Sequence, residues 1–155
     1  QEKGLRSGTE NIAAIIGFGK ACELTQQNVV IFGEEVKFLQ AKLENALIKM
    51  DAVIFGKESN RLSNTTFFSF KDIDGSTLLT ALDRRGFAIA SGSACSSNSS
   101  EPSHVLLAMN IADDQAKAAL RVSLGIETKK EQIDDFIKAL KQELERLKQL
   151  TAVAA

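Results

Sequence analysis

Apolar residues recur at helical spacing from the first dozen positions of the chain. Ile12, Ile15, Ile16, Gly19 and Cys22 fall on one helical face, and the pattern resumes through Val29, Phe32, Val36, Leu39, Leu43 and Leu47. This predicts two successive helices or one long, bent helix, with Cys22 on the apolar stripe and so in the core. Ala52-Val53-Ile54-Phe55-Gly56 reads as a short buried strand, and Thr65-Thr66-Phe67-Phe68-Ser69-Phe70 as a β-branched and aromatic one. Asp74-Gly75-Ser76 starts a helix that runs through Leu78, Leu79 and Leu82 and stops at Arg85-Gly86, with Gly in the usual capping place. A brief strand from Phe87 to Ala90 follows.

Further along, Glu101-Pro102-Ser103 introduces a short helix containing Val105, Leu106 and Met109, and Asp113 can cap another. Ala119 to Leu124 is the next strand. The last helix opens with Thr128-Lys129-Lys130-Glu131, a capping-box pattern, and buries Ile133, Ile137, Leu140, Leu144 and Leu147 on one side. Helices and short strands mix irregularly, with no repeat and no internal linker. The expected fold is therefore a compact α+β domain, a small mixed or antiparallel sheet with helices packed on one face. Residues 1–50 form an N-terminal loop and long helix, and 51–155 the α+β domain, whose most unusual loop covers about 90–104.

Within Ala90-Ser91-Gly92-Ser93-Ala94-Cys95-Ser96-Ser97-Asn98-Ser99-Ser100, nothing but the thiol is bulky, apolar or reactive. Structural cysteines sit among large apolar neighbours, because free Cys packs as a small hydrophobe and is inert when buried. Cys95 has none, and a Gly, Ser and Asn loop buries too little apolar surface to hold one conformation. The expectation is a solvent-accessible nucleophile on a mobile arm, against the alternative of a serine-rich surface loop with an incidental Cys.

Composition narrows the field. A chain of 155 residues with 44% hydrophobic and 25% charged residues supports one ordinary core. Nineteen Lys and Arg against 20 Asp and Glu leave a net charge of -1, so no global basic field recruits nucleic acid or anionic lipid. No apolar run approaches the roughly 20 residues of a membrane span, and no signal-peptide layout opens the sequence. Two distant cysteines form neither a CxxC pair nor a disulfide framework. A soluble, cytoplasmic protein is expected. The sequence opens at Gln1 in what reads as a loop entering a helix, so we read the chain as a piece of something longer.

Two further places could carry chemistry. In Arg6-Ser7-Gly8-Thr9-Glu10-Asn11 the Ser7 to Glu10 spacing fits a capping box, and the Ser7 and Thr9 hydroxyls, Gly8 and the Arg6 cation also suit a phosphate seat. In Ala119-Leu120-Arg121-Val122-Ser123-Leu124-Gly125, alternation puts Arg121 on the face opposite Leu120, Val122 and Leu124. Its guanidinium could grip a carboxylate by paired hydrogen bonds, or it could lie on the solvated side of an edge strand. His104, the only histidine, reads as a local structural or surface residue. One His without a Cys/His cluster argues against a zinc site, and a Cys-His hydrolase has only this single candidate pair.

Gly4-Leu5-Arg6-Ser7-Gly8-Thr9-Glu10-Asn11, Ser91-Gly92-Ser93-Ala94-Cys95-Ser96-Ser97, Glu101-Pro102-Ser103-His104-Val105-Leu106 and Arg121-Val122-Ser123-Leu124-Gly125 together resemble the cysteine desulfurases, in order and in interval. The resemblance runs over nearly the whole chain. It favours the NifS/IscS group, with its long active-site loop, over the SufS group with its short one.

The resemblance implies a homodimeric aminotransferase of class V that uses pyridoxal 5'-phosphate to turn L-cysteine into L-alanine, leaving a persulfide for a sulfur-acceptor or scaffold protein. Iron–sulfur cluster assembly and tRNA thiolation are among the fates it implies for that sulfur. Carried over residue by residue, Cys95 resembles the nucleophile, Arg121 the substrate-carboxylate binder and Asn64 a position near the substrate. Thr9, with Ser7 and Gly8, resembles the contact to the cofactor phosphate, reaching across from the neighbouring subunit. The Schiff-base lysine, the ring-stacking histidine and the aspartate paired with the ring nitrogen match nothing in this chain. The resemblance thus implies the small domain of a fold-type I enzyme with its preceding interdomain helix, inactive alone. A class V aminotransferase or lyase without thiol chemistry, or a non-catalytic partner-binding module, are the rival readings.

Overall fold

The computed structural model describes residues 2–92 and 101–154, apart from the side chains of 2, 27, 28, 30–32 and 151–154. The chain divides into two compact units, 1–33 and 34–155. The first apolar stretch is a single helix, α1 (Ile12–Lys49), which runs from one unit into the other. Its start differs from the expected one. Asn11 Oδ1 accepts from the Ala14 N–H at 3.1 Å, so Asn11 caps the helix and the Ser7–Glu10 pair does not.

In the unit 1–33 the apolar stripe exists but stays open: Ile12, Ile15, Ile16 and Phe18 are all exposed, and so is Cys22. The expectation of a core Cys22 is therefore wrong. Helical spacing names a face, whereas burial needs a second element to receive it, and among its described residues this unit holds only a single 3-10 turn, Glu2–Gly4, besides its part of α1.

The unit 34–155 is built on a sheet of β1 (Ala52–Ile54), β2 (Thr65–Phe70), β3 (Ala90–Ser91) and β4 (Leu120–Ser123) in the order β1-β2-β4-β3, antiparallel throughout. The helices are α2 (Gly75–Asp83), α3 (His104–Ala108), α4 (Asp113–Lys117) and α5 (Lys130–Ala154). Thr66, Phe68, Phe70, Leu120 and Val122 share the heavily buried face of the sheet. Thr66 Oγ1 donates to Glu44 Oε1 of α1 at 2.9 Å, which sets α1 against that face with Val36, Leu39, Leu43 and Leu47 buried. Helix α5 ties to α1 through the Lys42–Asp134 ion pair and to the end of α2 through Arg85 Nε donating to Glu143 at 2.7 Å.

On the other face, Phe67 meets Phe55 edge to face at 5.4 Å and packs on a small second core of Leu106 from α3, Ala116 from α4 and Ala119. Gly75 shows how closely the elements approach. A Cβ there would stand 2.5 Å from the Ala118 carbonyl oxygen, so only Gly fits where α2 meets the entrance to β4.

Three local details depart from expectation. Asp113 is the first residue of α4, its cap being Ala112, and its carboxylate pairs with Lys117 at 2.6 Å. The α5 capping box shifts by one residue: Thr128 Oγ1 accepts from Gly125 N–H, while Lys129 N–H donates to Gln132 Oε1 at 2.8 Å. Strand β3 covers only Ala90–Ser91, because Phe87 turns its ring onto Phe136 of α5 at 5.4 Å instead of pairing.

Candidate functional site

The centre of the candidate site is Arg121, in the middle of β4. It stands opposite Phe67 of β2 and Ala90 of β3, so β4 is hydrogen-bonded on both sides and the edge-strand reading falls. Its side chain is half-buried, on the same face as Phe67 and Ala119. Among the described residues no carboxylate or carbonyl pairs with its guanidinium, although Arg61, Arg85 and Arg146 all hold acidic partners. A half-buried cation left open in this way invites an anion.

Asn64 immediately precedes β2. Its backbone carbonyl accepts from Leu124 N–H at 2.7 Å, its Nδ2 donates to Leu124 O at 3.4 Å, and its Oδ1 accepts from Thr65 Oγ1 at 3.2 Å. The residue closes the end of the β2–β4 ladder opposite Leu124, three register positions from Arg121, an odd offset that does not bring the two onto one face of the sheet.

The loop that delivers Asn64 is held from α1. Gln40 Nε2 donates to Leu62 O at 3.1 Å and to Thr65 O at 2.8 Å, and Glu44 takes both Arg61 nitrogens at 2.7 and 2.8 Å. Burial pushes the Glu44 carboxyl up, but the hydrogen bonds from Arg61 and Thr66 outweigh it and hold the group below its ordinary value. Neither Gln40 nor Glu44 stands out by itself in the sequence. Their signal is two polar residues four apart beside the stripe of Val36, Leu39, Leu43 and Leu47.

Cys95 lies outside the described residues, and the structure reaches Gly92 on one side of it and Glu101 on the other. The Gly92 N–H donates to Ala119 O at 2.8 Å, which extends the β3–β4 pairing one step beyond Ser91. On the far side, Ser103 is buried and precedes α3, whose first residue, His104, is exposed.

In the unit 1–33, Ser7, Gly8 and Thr9 form an exposed turn, with Gly8 at φ +91°. Arg6 folds back over it, donating to Gly8 O and Thr9 O, each at 3.0 Å. Those two bonds leave further guanidinium donors open, and the Ser7 and Thr9 hydroxyls have no partner among the described residues. The donor set suits a phosphate group.

The aminotransferase class-V profile matches residues 1–136. The chain belongs to the aminotransferase class-V family. Among curated relatives of this class-V chain, cysteine desulfurase IscS of Dictyoglomus turgidum is 38% identical over 97% of the chain and 39% of its own length. Cysteine desulfurase NifS of Azotobacter vinelandii is 43% identical over 89% of the chain and 35% of its own length. The X-ray structure of the NifS-like protein from Rickettsia africae superposes with a TM-score of 0.83 at 34% identity, over 94% of this chain and 38% of that one. The class-V chain thus spans about two-fifths of the length of the curated relatives it matches.

Proposed function

We propose that the complete protein is a cysteine desulfurase, converting L-cysteine to L-alanine and passing the sulfur, as a persulfide on Cys95, to an acceptor protein. The observation that carries this reading is Arg121, a half-buried guanidinium on an interior strand with no anionic partner among the described residues. A substrate carboxylate would satisfy it through two parallel N–H···O bonds, a geometry a lysine cannot supply. Asn64 enters this reading through the resemblance alone, since it lies just before the neighbouring strand, three register positions from Arg121.

The residues of the Ser7–Thr9 turn fit the phosphate of pyridoxal 5'-phosphate: two open hydroxyls and the Arg6 cation. The resemblance assigns that contact across a homodimer. When bound, the cofactor supplies an electron sink for the carbon skeleton of the substrate. No residue of this chain matches the lysine that would hold it, so we expect the 155 residues alone to be inactive.

The chain's own part is to hold the carboxylate at Arg121 and offer a thiolate at Cys95. In the transfer, the substrate Cβ–S bond breaks and an S–S bond to Cys95 Sγ forms. The electron pair of the broken bond stays with carbon, which gains a proton and becomes the methyl group of alanine. Carbon is reduced by two electrons and the moved sulfur oxidised by two, so no external oxidant enters. The acceptor's pathway, iron–sulfur cluster assembly or tRNA thiolation, comes from the same resemblance, and a cytoplasmic setting from the sparse, distant cysteines. The described helices include none long and apolar enough to cross a membrane.

Two variants of the complete, cofactor-loaded enzyme test the reading. Cys95→Ser should abolish sulfur transfer while cysteine still perturbs the cofactor absorbance, and an aminotransferase without thiol chemistry would barely respond. Arg121→Lys should raise KM for cysteine by about tenfold or more, because the bidentate grip is lost. Wild-type sulfur transfer in the Cys95 variant would sink the proposal.

A further inference from the structure

The point where the chain leaves the sheet toward Cys95 is built around a missing side chain. A Cβ on Gly92 would stand 3.2 Å from Phe67 Cζ, 3.2 Å from Ala119 Cβ and 3.4 Å from the Ala119 carbonyl oxygen. Phe67 therefore lays the tip of its ring over the glycine, across β4. Aromatic cover of this kind is a known device for pinning a glycine at a sheet edge, and β3 is an edge strand here. The ring has little room to retreat, since it packs edge-on against Phe55 and on the core of Leu106, Ala116 and Ala119. Below it, the Gly92 N–H is fixed to Ala119 O at 2.8 Å.

Both groups that grip Gly92 also border Arg121. Phe67 is its cross-strand partner, and Ala119 lies two residues before it in the chain, on the same face. Cys95 is three residues past Gly92, so whatever path the chain takes, its Cα lies within about 11 Å of the Gly92 Cα.

We propose that Gly92, roofed by Phe67 and bonded to Ala119, is a positioning residue that fixes where the Cys95 segment leaves the sheet relative to Arg121. The proposal rests on the reading of Cys95 as sulfur acceptor and Arg121 as carboxylate binder. A Cβ at position 92 forces the ring, or the start of β4, to shift by a few tenths of an ångström. That displaces the thiol's anchor from the held substrate without removing any group that binds it.

The experiment uses the complete, cofactor-loaded enzyme. First-turnover formation of alanine is measured with enzyme in excess, and cysteine affinity by titration of the cofactor absorbance. Gly92→Ala should slow the first turnover about tenfold while affinity changes by less than about twofold, the signature of misplaced reacting groups rather than lost binding. Adding Phe67→Leu, which removes the ring tip, should restore most of the rate, and adding Ala119→Gly offers a second route to the same relief. A wild-type rate in Gly92→Ala would overturn the proposal, as would equal losses in rate and affinity or a defect that neither relief restores. If Cys95→Ser transfers sulfur normally, the reading of the site fails and takes this inference with it. If Cys95→Ser is dead while Gly92→Ala is normal, only the anchor fails.

Discussion

Removing Arg61 should destabilise the fold through the carboxylate it leaves behind. Glu44 has a side chain only 10% exposed, and Arg61 one that is 25% exposed, joined by two hydrogen bonds of 2.7 and 2.8 Å. An exposed ion pair contributes about 0–1 kcal/mol, whereas deleting one member of a fully buried pair costs about 3–5 kcal/mol. With one partner nearly buried and the other partly exposed, Arg61→Ala should cost about 2–3 kcal/mol, Thr66 still donating to the stranded carboxylate. Glu44→Gln keeps the volume and the Thr66 bond but weakens the Arg61 contact, for about 1–2 kcal/mol. Combined, the two changes should cost about 2 kcal/mol, less than their sum, because no buried charge remains unpaired.

The pH dependence carries a definite sign. Glu44 is held below its ordinary value of 4.5 in the folded protein, so the unfolded chain binds more protons across that window and stability rises with pH. The contribution is complete above about pH 4.5 and is lost as pH falls through the depressed folded value. In Arg61→Ala the main cause of depression is gone, so the gap between wild type and variant should shrink as pH is lowered below 4.5. Glu143 and Asp74 are also depressed, but both proteins share them and they cancel in the difference. Urea unfolding at pH 7 and at pH 4, followed by circular dichroism, measures both effects. A loss below about 0.5 kcal/mol at pH 7, or a gap that widens in acid, would refute the reasoning.

Gly75→Ala should lower the urea midpoint: a helix start gains at most about 1 kcal/mol from Ala, while a Cβ at 2.5 Å from the Ala118 carbonyl costs about 2 kcal/mol or more, and an unchanged midpoint would contradict the close approach. Asp74→Ala removes the acceptor for Ser76 Oγ, Thr77 N–H and Thr77 Oγ1 at the start of α2, so about 1 kcal/mol should be lost and Asp74→Ser should recover most of it by thermal melting.

What the sequence revealed divides along a physical line. Strand β2 matches its expected range, Thr65–Phe70, because a β-branched and aromatic run is a local signal. Asp74 and Gly86 likewise bracket α2 where expected, by side-chain capping and by a positive φ. Where a local signal competed with a tertiary one, the tertiary one prevailed: Phe87 left the strand pattern for the ring of Phe136, and the Cys22 stripe stayed open. Gln40, Glu44 and Arg61 were illegible as a group because the pairs they form span more than fifteen residues of chain, beyond any periodicity.

The same line runs through the candidate site. Alternation assigned Arg121 to the right face but left open whether β4 lay at the edge of the sheet or inside it, and that choice decides what the guanidinium can do. On an edge strand it would be hydrated and free to follow a fraying backbone. With Phe67 on one side and Ala90 on the other, its Cα is fixed by hydrogen-bonded strands on both flanks, so the cost of half-burying the charge cannot be relieved by local movement. Register, which no single-residue signal encodes, is thus what makes Arg121 the rigidly held, half-buried cation on which the proposed carboxylate grip rests. The same register brings Phe67 over Gly92, so the proposed grip on a carboxylate and the proposed anchor at Gly92 rest on one set of strand pairings.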